Sequence, residues 1–106
     1  MGWVTDALNE LRAGRVARVR PSGGSMRGRI ESGQSVTIAP VTPAQVEVDD
    51  VILVKWKGNY ILHLVKELKD DQFLIGKNFG RINGWVTADA ICGKVVEVEH
   101  VKRNAD

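Results

Sequence analysis

The helical spacing of apolar residues in this chain ends after residue 13 and does not return. Trp3, Val4, Ala7, Leu8 and Leu11 recur at that spacing, Thr5 and Asp6 stand near the start, and Gly14 supplies a stop, so one short helix is expected over 3–13. Residues 15–20 put Val16 and Val19 out of strict alternation and give only a weak strand signal. Ser35-Val36-Thr37-Ile38-Ala39 alternates cleanly and is closed by Pro40. Residues 41–49, with Pro43, read as a loop. Asp49-Asp50 then precede Val51-Ile52-Leu53-Val54-Lys55-Trp56, an apolar run of strand length with the look of burial on both faces. Lys57-Gly58 is a two-residue turn, and Asn59 to Leu68 returns as the partner strand. Asp70-Asp71 turns the chain into Gln72-Phe73-Leu74-Ile75. Asn78 to Gly84 is rich in glycine and asparagine and reads as a loop, and Ile91 to Val101 forms a last strand.

Short strands with turns at close intervals predict a mainly β domain, a small barrel or sandwich behind one N-terminal helix. The expected division is a helix over 1–14, a β domain over 15–101 and a tail over 102–106, within one domain. A chain of 106 residues supports one modest core. Its 43% hydrophobic and 26% charged residues are those of an ordinary soluble protein. Arg12, Arg15, Arg18, Arg20, Arg27 and Arg29 crowd into the first third. The net charge is only +2 and no nucleic-acid motif accompanies them, so they read as a solvated face and nucleic-acid binding is not expected. The lone Cys92 excludes an internal disulfide and reads as a small core hydrophobe. Trp3, Trp56 and Trp85 read as core and rim packing. No apolar segment nears the roughly 20 residues of a membrane span, and the N-terminus lacks a signal-peptide apolar region. A soluble, cytoplasmic chain is the expectation.

One stretch departs from this ordinary picture. Pro21-Ser22-Gly23-Gly24-Ser25-Met26-Arg27-Gly28 combines glycines with small hydroxyl residues. Such a segment can present a serine on a tight turn beside bare backbone N–H groups, as a nucleophile next to an oxyanion hole. A serine needs a base. Of the two histidines, His100 lies in the acidic tail and is a poor candidate, whereas His63 lies within Tyr60-Ile61-Leu62-His63-Leu64-Val65-Lys66. Lys66 is the other candidate, since partial burial beside apolar strands disfavours an ammonium and would let it act as a base. Three residues apart on a strand, the two side chains are expected on opposite faces, so at most one reaches Ser25 unless a bulge intervenes.

In order and spacing these features resemble the superfamily of type I signal peptidases and self-cleaving LexA-like repressors, over roughly residues 16–98. Gly24-Ser25-Met26, then Ile30, then Gly33-Gln34-Ser35-Val36 is similar to that family's G-x-S-M, I and G-D-x-V box. Asp49-Asp50-Val51-Ile52-Leu53-Val54 resembles its second G-D-x-V strand. Phe73-Leu74-Ile75-Gly76-Lys77-Asn78, Gly84-Trp85-Val86 and Gly93-Lys94-Val95-Val96 are similar to its closing segments. The resemblance implies a serine peptidase acting on a peptide or protein bound as an extended strand, with Ser25 as nucleophile and neither metal nor cofactor. Val65-Lys66-Glu67-Leu68 looks like the V-K-R-L of the lysine-dependent members, and Leu62-His63-Leu64-Val65 like the V-H-R-V of the histidine-dependent ones. Ungapped counting from Asp49-Asp50 favours His63.

The departures are specific. Arg27-Gly28 stands where a proline is usual, and Gly33-Gln34 and Asp49-Asp50 replace Gly-Asp pairs. Gly23 takes the place of a second serine that completes the oxyanion hole in some signal peptidases, which leaves backbone N–H groups around Gly23, Gly24, Ser25 and Met26. Without an expected anchor, cleavage of secretory preproteins at a bilayer is not implied. LexA-like proteins cut themselves at Ala-Gly, and Ala13-Gly14 occurs here. The alternative is a catalytically inactive peptide- or partner-binding module of the same fold within a regulatory complex. A homodimer is left open.

Overall fold

The computed structural model describes residues 2–21, 30 and 34–99 of the chain. Helix α1 spans Trp3–Arg12 and is followed by seven strands: β1 (Ala17–Val19), β2 (Ser35–Ala39), β3 (Val51–Trp56), β4 (Asn59–Lys69), β5 (Gln72–Gly76), β6 (Ile82–Thr87) and β7 (Ile91–Glu99). They form one antiparallel sheet in the order β1-β2-β7-β3-β4-β5-β6. The mainly β architecture expected from the sequence is therefore present, and β1 and β6 are its two edges among the described residues.

The centre of the sheet explains the unbroken apolar run. Val51, Ile52, Leu53 and Val54 of β3 are all buried, because β3 lies between β7 and β4 and is covered on both faces. Alternate residues serve different cores. Val51 and Leu53 join Leu62 and Leu64 of β4, Val36 and Ile38 of β2, and Ala7 and Leu11 of α1. Ile52 and Val54 join Val65, Phe73, Ile75 and Val86 on the other face, with Val46. Complete burial of an aliphatic side chain contributes about 1.5–3 kcal/mol, so this four-residue run anchors both layers.

Helix α1 buries Ala7 and Leu11 against the first core, with Trp3 and Leu8 packed at its margin. Its close approach depends on Gly93 in β7. A Cβ there would meet Ile38 Cγ2 at 2.7 Å, the Ala39 carbonyl at 3.0 Å and Leu11 Cδ1 at 3.0 Å. The segment before β3 is tied down by Asp50. Its Oδ2 accepts the Glu47 N–H at 2.7 Å and pairs with Lys94 Nζ of β7 at 3.1 Å, while Lys94 also donates to the Gln45 carbonyl. Within that segment, expected as a loop, Pro43–Gln45 forms a single 3-10 turn closed by the Thr42–Gln45 capping box.

One expected loop is corrected. Asn78 to Gly84 is not loop throughout, because Ile82, Asn83 and Gly84 open β6. Asparagine and glycine disguise the strand locally, but tertiary packing requires the glycine. Gly84 has φ 152°, and a Cβ there would stand 2.8 Å from Trp56 Cη2 of β3. The register shift between Ile75 and Gly76 accommodates the irregular entry. Cys92 is half-buried beside the first core, and burial pushes its thiol pKa up, in keeping with a packing role. Trp3 and Trp56 pack against the cores, whereas Trp85 is exposed.

Substituting Gly93→Ala is expected to destabilise the protein by about 1–3 kcal/mol through overpacking beneath α1, lowering the thermal midpoint with the sheet spectrum retained. A midpoint equal to that of the parent chain would show that α1 does not rest on this position.

Candidate functional site

Gly23, Gly24, Ser25 and Met26 lie outside the described residues. Their flanks are described. Val19 and Ile30 are buried in the core of Leu62, Leu64, Val36 and α1, and Pro21 is buried as well. The described residues flanking the expected nucleophile are thus buried, and two of them, Val19 and Ile30, share a core with one face of β4.

Both candidate bases lie on β4, and the sheet register sorts them. His63 stands opposite Ile52 of β3, whose side chain belongs to the second core. His63 is only 4% exposed. Its Nδ1–H donates to the Leu62 carbonyl at 2.5 Å, which leaves Nε2 as the basic nitrogen of the neutral ring. Burial holds the His63 pKa below the ordinary histidine value. The Leu62 carbonyl opposes this, the Lys77 charge adds to it, and the Asn83 amide also favours the protonated ring. Asn83 acts from alongside without completing a hydrogen bond: its Oδ1 is buried and accepts none.

Lys66 sits differently because β4 is bulged there. Val65 pairs with Ile75 and Glu67 with Leu74, so Lys66 is the extra residue. The bulge follows a fixed point: the Asp49 N–H donates to the Val65 carbonyl at 2.8 Å, and the Val65 N–H donates to the Asp50 carbonyl at 2.9 Å. Leu64 pairs with Gly76, and a Cβ on Gly76 would lie 3.3 Å from Lys66 Cε. Directly opposed residues of antiparallel strands project to the same face. The half-buried Lys66 stem therefore runs on the Leu64 face, shared with Val19 and Ile30, while His63 occupies the other. The expectation that the two side chains diverge holds even though a bulge intervenes.

Two features that the sequence reading did not connect bear on this site. Asp49 takes φ 79°, a left-handed backbone that aspartate tolerates better than most residues, at a position where the resembled motif has glycine. Asn83 falls within the expected loop, yet it brings an amide to His63; it is the extra residue of the β5–β6 bulge, which local pattern does not reveal. Elsewhere, Arg15 pairs with Glu10 at 2.6 Å and Arg18 with Glu99 at 3.1 Å, consistent with a solvated face for part of the arginine stripe. Ala13-Gly14 is exposed at the end of α1. Among the described residues no group of three His, Cys, Asp or Glu side chains could hold a metal ion, and no helix is long and apolar enough to cross a membrane.

Because the folded protein favours neutral His63, the stability it contributes is fully present above the unfolded-chain value of about 6.5 and declines as pH falls through that value towards the lower folded-state pKa. Thermal midpoints should therefore fall on acidification, with a shallower dependence in His63→Gln, and the His63 ring should titrate below about 6.5 by NMR. Titration at or above that value would contradict the burial assigned to the ring. Compared with protein-family models, curated proteins and solved structures, the chain gives no match.

Proposed function

We propose that this chain is a serine peptidase of the signal-peptidase and LexA type, with Ser25 as nucleophile and Lys66 as general base. The observation that carries the choice of base is the facial sorting on β4. The buried residues on either side of the Ser25 segment, Val19 and Ile30, share a core with Leu62 and Leu64, on the face along which Lys66 runs. His63, which ungapped counting favoured, is enclosed on the opposite face with Ile52 as its cross-strand neighbour. Asp49 lends further support, since its left-handed φ supplies the turn that the family's glycine would make before the strand leading to the base hairpin.

In this reading Lys66 Nζ takes the Ser25 hydroxyl proton as Oγ bonds to the carbonyl carbon of an extended peptide. Backbone N–H groups at Ser25 and its glycine neighbours receive the oxyanion. Collapse of the tetrahedral intermediate breaks the C–N bond, and Lys66 returns the proton to the leaving amine. Water then attacks the acyl-enzyme, with Lys66 again as base, and releases Ser25. His63 has a structural part, filling the second core in its neutral form.

The test is hydrolysis of a peptide library together with acylation by a serine-directed probe. Ser25→Ala is expected to abolish both, and Lys66→Met to lower kcat/KM by about 10²–10⁴ in a folded protein. His63→Gln is expected to affect stability more than turnover. A folded Lys66→Met variant with full activity beside an inactive, folded His63→Gln variant would exchange the roles. No Ser25-dependent chemistry in the parent chain would leave a peptide- or partner-binding module.

A further inference from the structure

The β6 edge carries a second reading, independent of any hydrolytic chemistry. As the outer strand it leaves one row of backbone N–H and C=O groups without a strand partner among the described residues. Natural edges are guarded by lysine, proline, inward charge, brevity or a bulge; β6 is bulged at Asn83, and Gly84 to Thr87 beyond it pair regularly with β5. The other edge, β1, is three residues long and carries Arg18 paired with Glu99. In contrast, Ile82-Asn83-Gly84-Trp85-Val86-Thr87 has six residues without a charge or a proline. Beside the exposed Thr87, its outward side chains include open apolar ones: Ile82 is 55% exposed and Trp85 39%, and Phe79 just before the strand is 70% exposed.

Charge is distributed unequally along this edge. Beyond its C-terminal end, the β4–β5 turn and the 3-10 turn after β6 frame an open groove of about 860 Å³, lined by Trp85, Asp70, Asp71 and Asp89 with Lys69 as its one cation. Asp89 is oriented by accepting the Thr87 hydroxyl. Immediately before the N-terminal end stands Arg81, exposed and without an ion pair among the described residues. The segment is complementary to itself in the antiparallel sense, basic at its start and acidic at its end.

We infer that β6 pairs antiparallel with β6 of a second copy of this chain about a twofold axis near Trp85, so that Arg81 of each copy enters the carboxylate groove of the other. An isologous pairing makes each contact twice, joins the two sheets into one, and removes both open edges. Trp85 lies beside its symmetry mate, and Arg81 lies towards the partner's Asp89. Such a small interface gives a reversible dimer, with dissociation at about the micromolar to submillimolar level.

Sedimentation equilibrium of the full chain is expected to show a monomer–dimer exchange. Arg81→Glu and Asp89→Arg are each expected to weaken it by about tenfold or more, and the double variant to recover most of the loss, because the swap restores attraction with reversed sign. Trp85→Lys should abolish association, and circular dichroism should show all variants folded. A strictly monomeric chain up to about 1 mM overturns the inference. So do dimers indifferent to Arg81→Glu and Trp85→Lys, a double variant with merely additive losses, or an edge that binds peptides while the chain stays monomeric.

Discussion

The register between β3 and β4 is the constraint on which the rest of this structure depends. With Val51 opposite Leu64 and Ile52 opposite His63, alternate residues of two neighbouring strands are committed to two separate cores. Side chains on a strand alternate with a period of two, so a one-residue slip of β4 would send Leu62 and Leu64 to the face of Ile52 and Val54. The register is held at one end by the Lys57-Gly58 turn. At the other, the paired hydrogen bonds between Asp49-Asp50 and Val65 secure it.

That same end determines the candidate chemistry. Immediately past the Asp50–Val65 contact the β4 ladder bulges, and the extra residue is Lys66. A bulge re-aims a side chain at the point where regular pairing stops, and here it sets the Lys66 stem beside Gly76 on the face of the first core. His63, three residues earlier, is held within regular pairing and turned into the second core. Two groups of similar chemical capability are thus placed on different faces by one irregularity in a hydrogen-bond ladder.

The sheet's two edges are treated in different ways. β1 is short and charged, and lies beside the helix, whereas β6 is longer, uncharged and flanked by exposed apolar side chains. The central strands need no such protection, since their neighbours satisfy their backbone groups. The β6 edge and the β4 bulge, on which the two proposals rest, accordingly lie away from the interior that the apolar pattern describes.

Much of the fold was legible in the residues themselves. The helix, the alternation of β2, the doubly buried β3, the turns at Lys57-Gly58 and Asp70-Asp71, and the long β7 follow from local periodicity and turn chemistry, because burial on a face imposes its period on the sequence. Strand β6 was not legible: no strand was expected over Ile82–Thr87. Asn83 and Gly84 read as loop formers, and only the Trp56 ring lying against Gly84 explains why a glycine belongs in that strand. For the site, the sequence alone supplied the candidate groups, a serine among glycines and two candidate bases on one strand. Which base shares a face with the buried flanks of that segment was decided by cross-strand register and a bulge. Those depend on partners distant along the chain, and no local pattern encodes them.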